Sequence, residues 1–265
     1  MSISKRPLIL VTNDDGITSL GIRTLVELMT QLGDVVVVAP NSPQSGMGHA
    51  ITMGEPLRLY KTDIFVDVDE YECSGTPVDC VKLARHYVLK DRAIDLVVSG
   101  INHGSNSSIN VLYSGTMSAA IEGAVEGIPS IGFSLCDFRE DAHFDHARDA
   151  ILQITRQALE NGIPKGTALN VNIPAFEGKP VKGIKICRQA DARWRERFDK
   201  RVDPHGRNYF WMSGDFVNLD AEKASTDEWA LENGYISIVP CQFDLTGYQA
   251  IAAISQWNLG NSLPV

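Results

Sequence analysis

Leu8-Ile9-Leu10-Val11-Thr12-Asn13-Asp14-Asp15-Gly16 is the stretch whose reading decides the fold. The continuous apolar run at 8–11 predicts a strand buried on both faces, as in a parallel sheet; a half-exposed strand would alternate. The polar turn Asn13-Asp14-Asp15-Gly16 ends it. Leu25, Leu28, Met29 and Leu32 then recur at helical spacing and line one face, and Gly33 is a natural helix stop. Residues 35–38 are all valine and predict a second buried strand, ended by Pro40. The unit is strand, helix, strand, with a right-handed crossover expected.

The same alternation extends outward. Residues 57–72 read as one or two strands, and Pro77 as the first turn of a helix reaching about Leu89. Asp95-Leu96-Val97-Val98-Ser99 is a third buried strand, and a polar stretch over 100–114 leads to a helix over 116–126. A strand over 130–135, a helix over 146–161 with Ile151, Ile154 and Ala158 inward, and a strand over 169–173 follow. This order implies an α/β fold, a doubly wound, mostly parallel, Rossmann-like sheet. After Pro174 the texture changes. Residues 188–212 are rich in Arg, Asp and aromatics, 235–239 read as one more strand, and 248–257 as a last short helix. We therefore expect a catalytic core over 1–175, and over 176–265 an irregular extension with a hairpin arm, a core-completing strand and a C-terminal tail.

A chain of 265 residues that is 44% hydrophobic can bury one large core. Its formal net charge of -9 argues against a broad nucleic-acid face. A small anionic substrate stays compatible, because a bound cation reverses the local field. The five cysteines are odd in number and lack C-x-x-C spacing, so neither a disulfide framework nor a zinc site is expected. Lys5-Arg6 precede an apolar run too short for a secretory signal, and no run approaches the roughly 20 residues of a membrane span. A cytoplasmic protein is the expectation.

Three polar, glycine-bearing segments follow three predicted strands: Asn13-Asp14-Asp15-Gly16, Asn41-Ser42-Pro43-Gln44-Ser45-Gly46, and Ser99-Gly100-Ile101-Asn102-His103-Gly104-Ser105-Asn106. In an open parallel sheet they converge on the carboxyl edge, where ligands bind. Two adjacent carboxylates there repel, and a shared cation or a raised pKa resolves the conflict. Oxygens of Ser45, Asn102 and Asn106 complete an all-oxygen set suited to Mg²⁺, Mn²⁺ or Ca²⁺. Tyr113-Ser114-Gly115-Thr116 stands before a helix, whose free N–H groups and positive end favour a phosphate. Cation loops and an anion cradle on one edge describe phosphoryl chemistry. His49 and His103 lie in these loops and are candidates for proton relay or substrate binding. His143 and His146 read as surface residues, the mixed-charge run 193–201 as a solvated arm, and Trp194, Trp211 and Trp229 as a subunit contact. An aspartyl-phosphate enzyme carries two Asp separated by one residue, whereas here they are adjacent and Asn13 precedes them. The first turn lacks G-x-G-x-x-G, which disfavours a dinucleotide site. A non-catalytic nucleotide-binding regulatory module is the competing class.

Several motifs, in order, resemble those of the survival protein SurE family. They are Ile9 to Gly16, Ala39-Pro40 with Gln44-Ser45-Gly46, Ser74-Gly75-Thr76-Pro77, Val98-Ser99-Gly100-Ile101-Asn102 and Tyr113-Ser114-Gly115-Thr116. Thr226-Asp227, Trp229-Ala230 and Gly234-Tyr235-Ile236-Ser237-Ile238-Val239-Pro240 extend the match. The resemblance spans nearly the whole chain and is densest over 8–134. It implies a SurE-like fold and a 5'/3'-nucleotidase and acid phosphatase that hydrolyses nucleoside monophosphates. It also implies one divalent ion per subunit, Mg²⁺ or Mn²⁺, held by Asp14, Asp15, Ser45 and Asn102. Asp14 and Asp15 would be catalytic, and Asn106, Ser114, Gly115 and Thr116 would contact the phosphate. Family members are homodimers or homotetramers with exchanged C-terminal segments, which would give the extension a role in oligomerisation. One position departs: the family carries a glycine two residues after Asn106, where this chain has Ser107-Ser108. Serine takes positive φ less readily, so an altered loop path is expected there.

Overall fold

β1 (Leu8–Thr12) is buried along its whole length, and the other long elements are placed around it. The structure is a computed structural model that describes residues 6–139, 142–176, 178 and 180–259. Lys5 and the end of the expected tail, 260–265, lie outside the described residues. β1 pairs in parallel with β2 (Asp34–Pro40) on one side and with β5 (Leu96–His103) on the other. The remaining strands of the sheet are β3 (Leu59–Lys61), β4 (Asp69–Cys73), β6 (Ser130–Cys136), β7 (Thr167–Pro174), β8 (Ile184–Ile186) and β11 (Ile236–Gln242). They give a nine-stranded sheet in the order β3-β4-β2-β1-β5-β6-β7-β11-β8. Pairing is parallel except at β3 with β4 and at β11 with β7.

The continuous apolar runs are explained by two buried faces. Ile9, Val11, Val35 and Val37 pack with α1 (Leu20–Met29) and α4 (Arg148–Asn161), through residues such as Leu25, Met29, Ile151 and Ile154. Leu8, Leu10, Val36 and Val38 pack on the opposite face against Cys80 and Val81 of α2 (Pro77–Leu83) and Ala119 of α3 (Gly115–Val125). A doubly wound sheet is what that pattern requires.

Two differences from the sequence reading stand out. The third strand runs past Ser99 to His103, resuming after a register shift, so Asn102 and His103 are strand residues paired with Ser134 and Leu135. The interruption lies at Gly100, which breaks the apolar pattern and made 100–114 look wholly irregular. β8 and α5 (Asp227–Glu232) were not anticipated, being only three and six residues long. Beyond Pro174 the chain contributes β11 and β8 to the main sheet, and Ile236 and Ile238 join the core. β9 (Ala192–Val202) and β10 (Asn208–Asn218) form a separate antiparallel hairpin, exposed over most of its length. α6 (Tyr248–Ile254) buries no residue. The five thiols are all free. Among the described residues no helix is long and apolar enough to cross a membrane.

Candidate active site

The turn after β1 is built by Asn13, whose amide donates to Gly16 O and to Ser19 Oγ, both at 2.9 Å. The loop after β2 is fastened to the same place. Gln44 N donates to Asp14 O at 2.7 Å, and Ile17 N donates to Pro40 O at 2.9 Å. Ser45 is the next residue of that loop and is exposed. From the third strand, the His103 backbone N–H faces the Asp15 carboxylate and favours its charged form. Asn102 Nδ2 donates to Gly104 O at 2.9 Å, which leaves Asn102 Oδ1 as its free acceptor. Three strand ends thus meet at the acidic pair, as the parallel order demands.

Asp14 is only 5% exposed. Burial pushes its carboxyl up to about 6, against the Thr116 hydrogen bond, and the charge of Asp15 adds to the rise. Burial also raises the Asp15 carboxyl, and its Oδ2 is buried with no hydrogen-bond partner among the described residues. A desolvated acidic pair with an orphan carboxylate oxygen fits a cation. Among the described residues no three His, Cys, Asp or Glu side chains converge on one point. A cation here would take hydroxyl and amide oxygens beside the two aspartates, the donor set of a hard divalent ion.

The start of α3, the candidate anion cradle, lies directly against this pair. Ser114 caps α3, its Oγ accepting from Met117 N at 3.0 Å. A Cβ on Gly115 would stand 2.6 Å from Asp14 Cβ and 2.9 Å from Asp14 Oδ2, so only glycine fits this contact. The Thr116 hydroxyl donates to Asp14 Oδ1. Its hydroxyl is therefore turned to the carboxylate, and its backbone N–H is what the helix start offers an anion. The sequence reading did not anticipate this link.

Asn106 is buried and held on three sides. Its N–H donates to Asn172 Oδ1, its carbonyl accepts from Asn170 Nδ2, and its Nδ2 donates to Ser134 Oγ, each at 2.8 Å. Ser108 adopts φ +51, so the loop follows the glycine-like path after all. Bonding outweighs the serine's reluctance: its N–H reaches Asp227 Oδ2 at 2.8 Å, and its Oγ donates to Ala190 O at 2.9 Å and Ala192 O at 3.0 Å. Ser107 Oγ donates to Glu228 on the same helix, α5.

His49 and His103 have different surroundings. His49 Nε2 lies 2.9 Å from Glu122 Oε2, and Lys82 pairs with the same buried carboxylate. The His103 ring stands edge-on to Phe144, with centroids 5.0 Å apart. His146 is half-buried and bonds Pro174 O at 3.0 Å, whereas His143 is exposed. Trp194 Nε1 donates to Asn110 Oδ1 at 2.9 Å, Trp211 is 60% exposed on the arm, and Trp229 lies on α5 parallel to the Tyr235 ring. Sequence reasoning missed Glu122, Asn170 and Asn172, and named Asp227 only as part of a motif, with no role. Asn170 and Asn172 carried a signal: amides two apart in an otherwise buried strand.

These features define an α/β protein in which a buried acidic pair and the N-terminus of a helix are in contact at one sheet edge. Comparison with known proteins is specific. The family model described as survival protein SurE matches residues 9–196. A protein named 5'-nucleotidase SurE from Cytophaga hutchinsonii is 65% identical over 251 residues, covering 95% of this chain and 96% of that one. Its namesake from Christiangramia forsetii is 60% identical over 259 residues, covering 97% and 99%. The crystal structure of SurE protein from Aquifex aeolicus superposes with a TM-score of 0.82 at 42% identity, covering 94% of this chain and 98% of that one. The chain belongs to the survival protein SurE family.

Proposed function

We propose that this chain is a 5'-nucleotidase, a metal-dependent phosphomonoesterase that converts a nucleoside monophosphate and water into a nucleoside and orthophosphate. The observation that carries the reading is the contact of Gly115 and Thr116 with Asp14. A phosphate held at this helix start would lie beside the Asp14 carboxylate. Relatives named 5'-nucleotidase at up to 65% identity support it and weigh against a non-catalytic binding module.

Asp14, Asp15, Ser45 Oγ and Asn102 Oδ1 would hold Mg²⁺ or Mn²⁺, one per subunit. When bound, that ion neutralises phosphoryl charge and makes water more acidic. The backbone N–H groups of Gly115 and Thr116 and the Ser114 hydroxyl bind the phosphoryl oxygens. Asn106 gives them the Nδ2 hydrogen that Ser134 leaves free. Asp14, oriented by Thr116, takes the proton of the attacking water. The cradle reads phosphate and not its position on ribose, so 3'-monophosphates belong to the same substrate class.

A homodimer or homotetramer with exchanged C-terminal segments is part of the proposal. The exposed Phe198, Phe210 and Trp211 of the hairpin support it, as does α6, none of whose residues is buried. The free thiols suit the reducing cytoplasm. The test is a phosphate-release screen of nucleoside 5'- and 3'-monophosphates with Mg²⁺, Mn²⁺ or chelator. Nucleotide binding with no release under any metal would replace the enzyme with a binding module.

A further inference from the structure

Asn170 and Asn172 have no part in the reaction above, yet they occupy interior positions of β7. They stand two apart, hence on one face of the strand, and are 2% and 0% exposed. Burying two amides there is costly unless each is bonded. Their bonds close a ring through Asn106. The Asn106 N–H donates to Asn172 Oδ1 at 2.8 Å, Asn172 Nδ2 donates to Asn170 Oδ1 at 2.9 Å, and Asn170 Nδ2 donates to the Asn106 carbonyl at 2.8 Å. Each residue gives one bond and accepts one, so both side-chain amides have a single orientation that satisfies the ring. The fourth bond, Asn106 Nδ2 to Ser134 Oγ on β6, sets the direction of the Asn106 side chain. The segment between β5 and the 3-10 turn at Ser108–Leu112 has no ladder of its own. The sheet therefore supplies Asn106 with the rigidity its loop lacks.

We propose that Asn170 and Asn172 are positioning residues that aim the free Nδ2 hydrogen of Asn106 at the substrate phosphoryl group. The proposal rests on the reading of Asn106 as a phosphate contact. An aspartate at either position keeps the shape and removes the donor. Asn170→Asp sets an oxygen against the Asn106 carbonyl, and Asn172→Asp sets one against Asn170 Oδ1.

The test measures kcat, KM, the Mn²⁺ concentration for half-maximal activity and Tm for Asn170→Asp and Asn172→Asp, each alone and combined with Asn106→Ala. In the otherwise native chain, kcat/KM for a nucleoside 5'-monophosphate is expected to fall about 10- to 100-fold, the worth of one bond to a charged group. The Mn²⁺ requirement should stay unchanged. In the Asn106→Ala background the further loss should shrink to less than about threefold, because there is no side chain left to aim. An equal loss in both backgrounds means a general structural role and overturns the proposal. So does full activity of both aspartate variants when Asn106→Ala is impaired. Full activity of Asn106→Ala removes the phosphate reading of Asn106 itself, and the proposal with it. Should the aspartates fail to fold, Asn170→Ser, which admits a water and no charge, must show the same dependence on background.

Discussion

Gly115→Ala tests the contact between the acidic pair and the cradle. The added methyl would lie 2.6 Å from Asp14 Cβ, 3.1 Å from Cγ and 2.9 Å from Oδ2. Carbon atoms rest no closer than about 3.5 Å, so Asp14 and the start of α3 must separate by about 1 Å. Neither can yield freely. Asp14 is tied through its carbonyl to Gln44 and through Oδ1 to Thr116, and Met117, Ala119 and Ala120 of the helix are fully buried. Overpacking of this kind costs about 1–3 kcal/mol of stability, and a misplacement of about 1 Å at a reacting group costs about 100-fold in rate. We expect kcat/KM for a nucleoside 5'-monophosphate at saturating Mn²⁺ to drop about 100-fold in protein that is still folded at the assay temperature. Gly123→Ala is the control. It crowds Ser130 and Val97 at the far end of the same helix, away from Asp14, and should lower Tm while leaving kcat/KM near the native value. Native kcat/KM in Gly115→Ala, or equal losses in the two variants, would refute the reasoning.

Three further outcomes follow from the same geometry. Mn²⁺ at about 100 times its Kd should add about 2.7 kcal/mol, raising Tm by about 5–10 °C, and Asp15→Asn should abolish the shift; an unchanged native Tm by calorimetry would count against the cation site. Burial pushes the Glu122 carboxyl up, but its hydrogen bonds to His49 and Lys82 outweigh that and hold it below its ordinary 4.5. Its stabilisation is therefore present above pH 4.5 and lost as the pH falls below that value, and urea melts of Glu122→Gln should lose that part of the acid dependence. Ser108→Ala keeps φ +51 but forfeits the bonds to Ala190 O and Ala192 O, for an expected loss of about 1–3 kcal/mol. Ser108→Gly should lose about 1 kcal/mol less by denaturant melts, since glycine accepts that φ; equal losses would show that the backbone is not strained there.

The sheet was legible because its central strands carry apolar residues on both faces, as Leu8 to Val11 and Val35 to Val38 do, and only a doubly wound sheet buries both. Asp14 and Asp15 were legible as a candidate site because their strand fixes them at the carboxyl edge. Asn102 was placed in a loop because Gly100 interrupts the pattern, although the strand resumes beyond it. Ser108 was expected to divert its loop, and local serine preference loses there to bonds from Asp227 and the arm root, partners more than 80 residues away. Asn170 and Asn172 were passed over for the same reason: a single strand does not reveal which loop crosses it. The donor set of Thr116 is another tertiary fact, since a helix-capping sequence does not say which carboxylate will stand beside it.

The most direct test of the central claim is phosphate release from nucleoside 5'-monophosphates by the native chain and by Asp14→Asn, each with Mn²⁺ and with chelator. We predict turnover by the native chain that requires the divalent ion, and a loss of about 100-fold or more in Asp14→Asn. Release that persists undiminished in Asp14→Asn, or that is indifferent to chelation, would contradict a phosphatase built on the acidic pair.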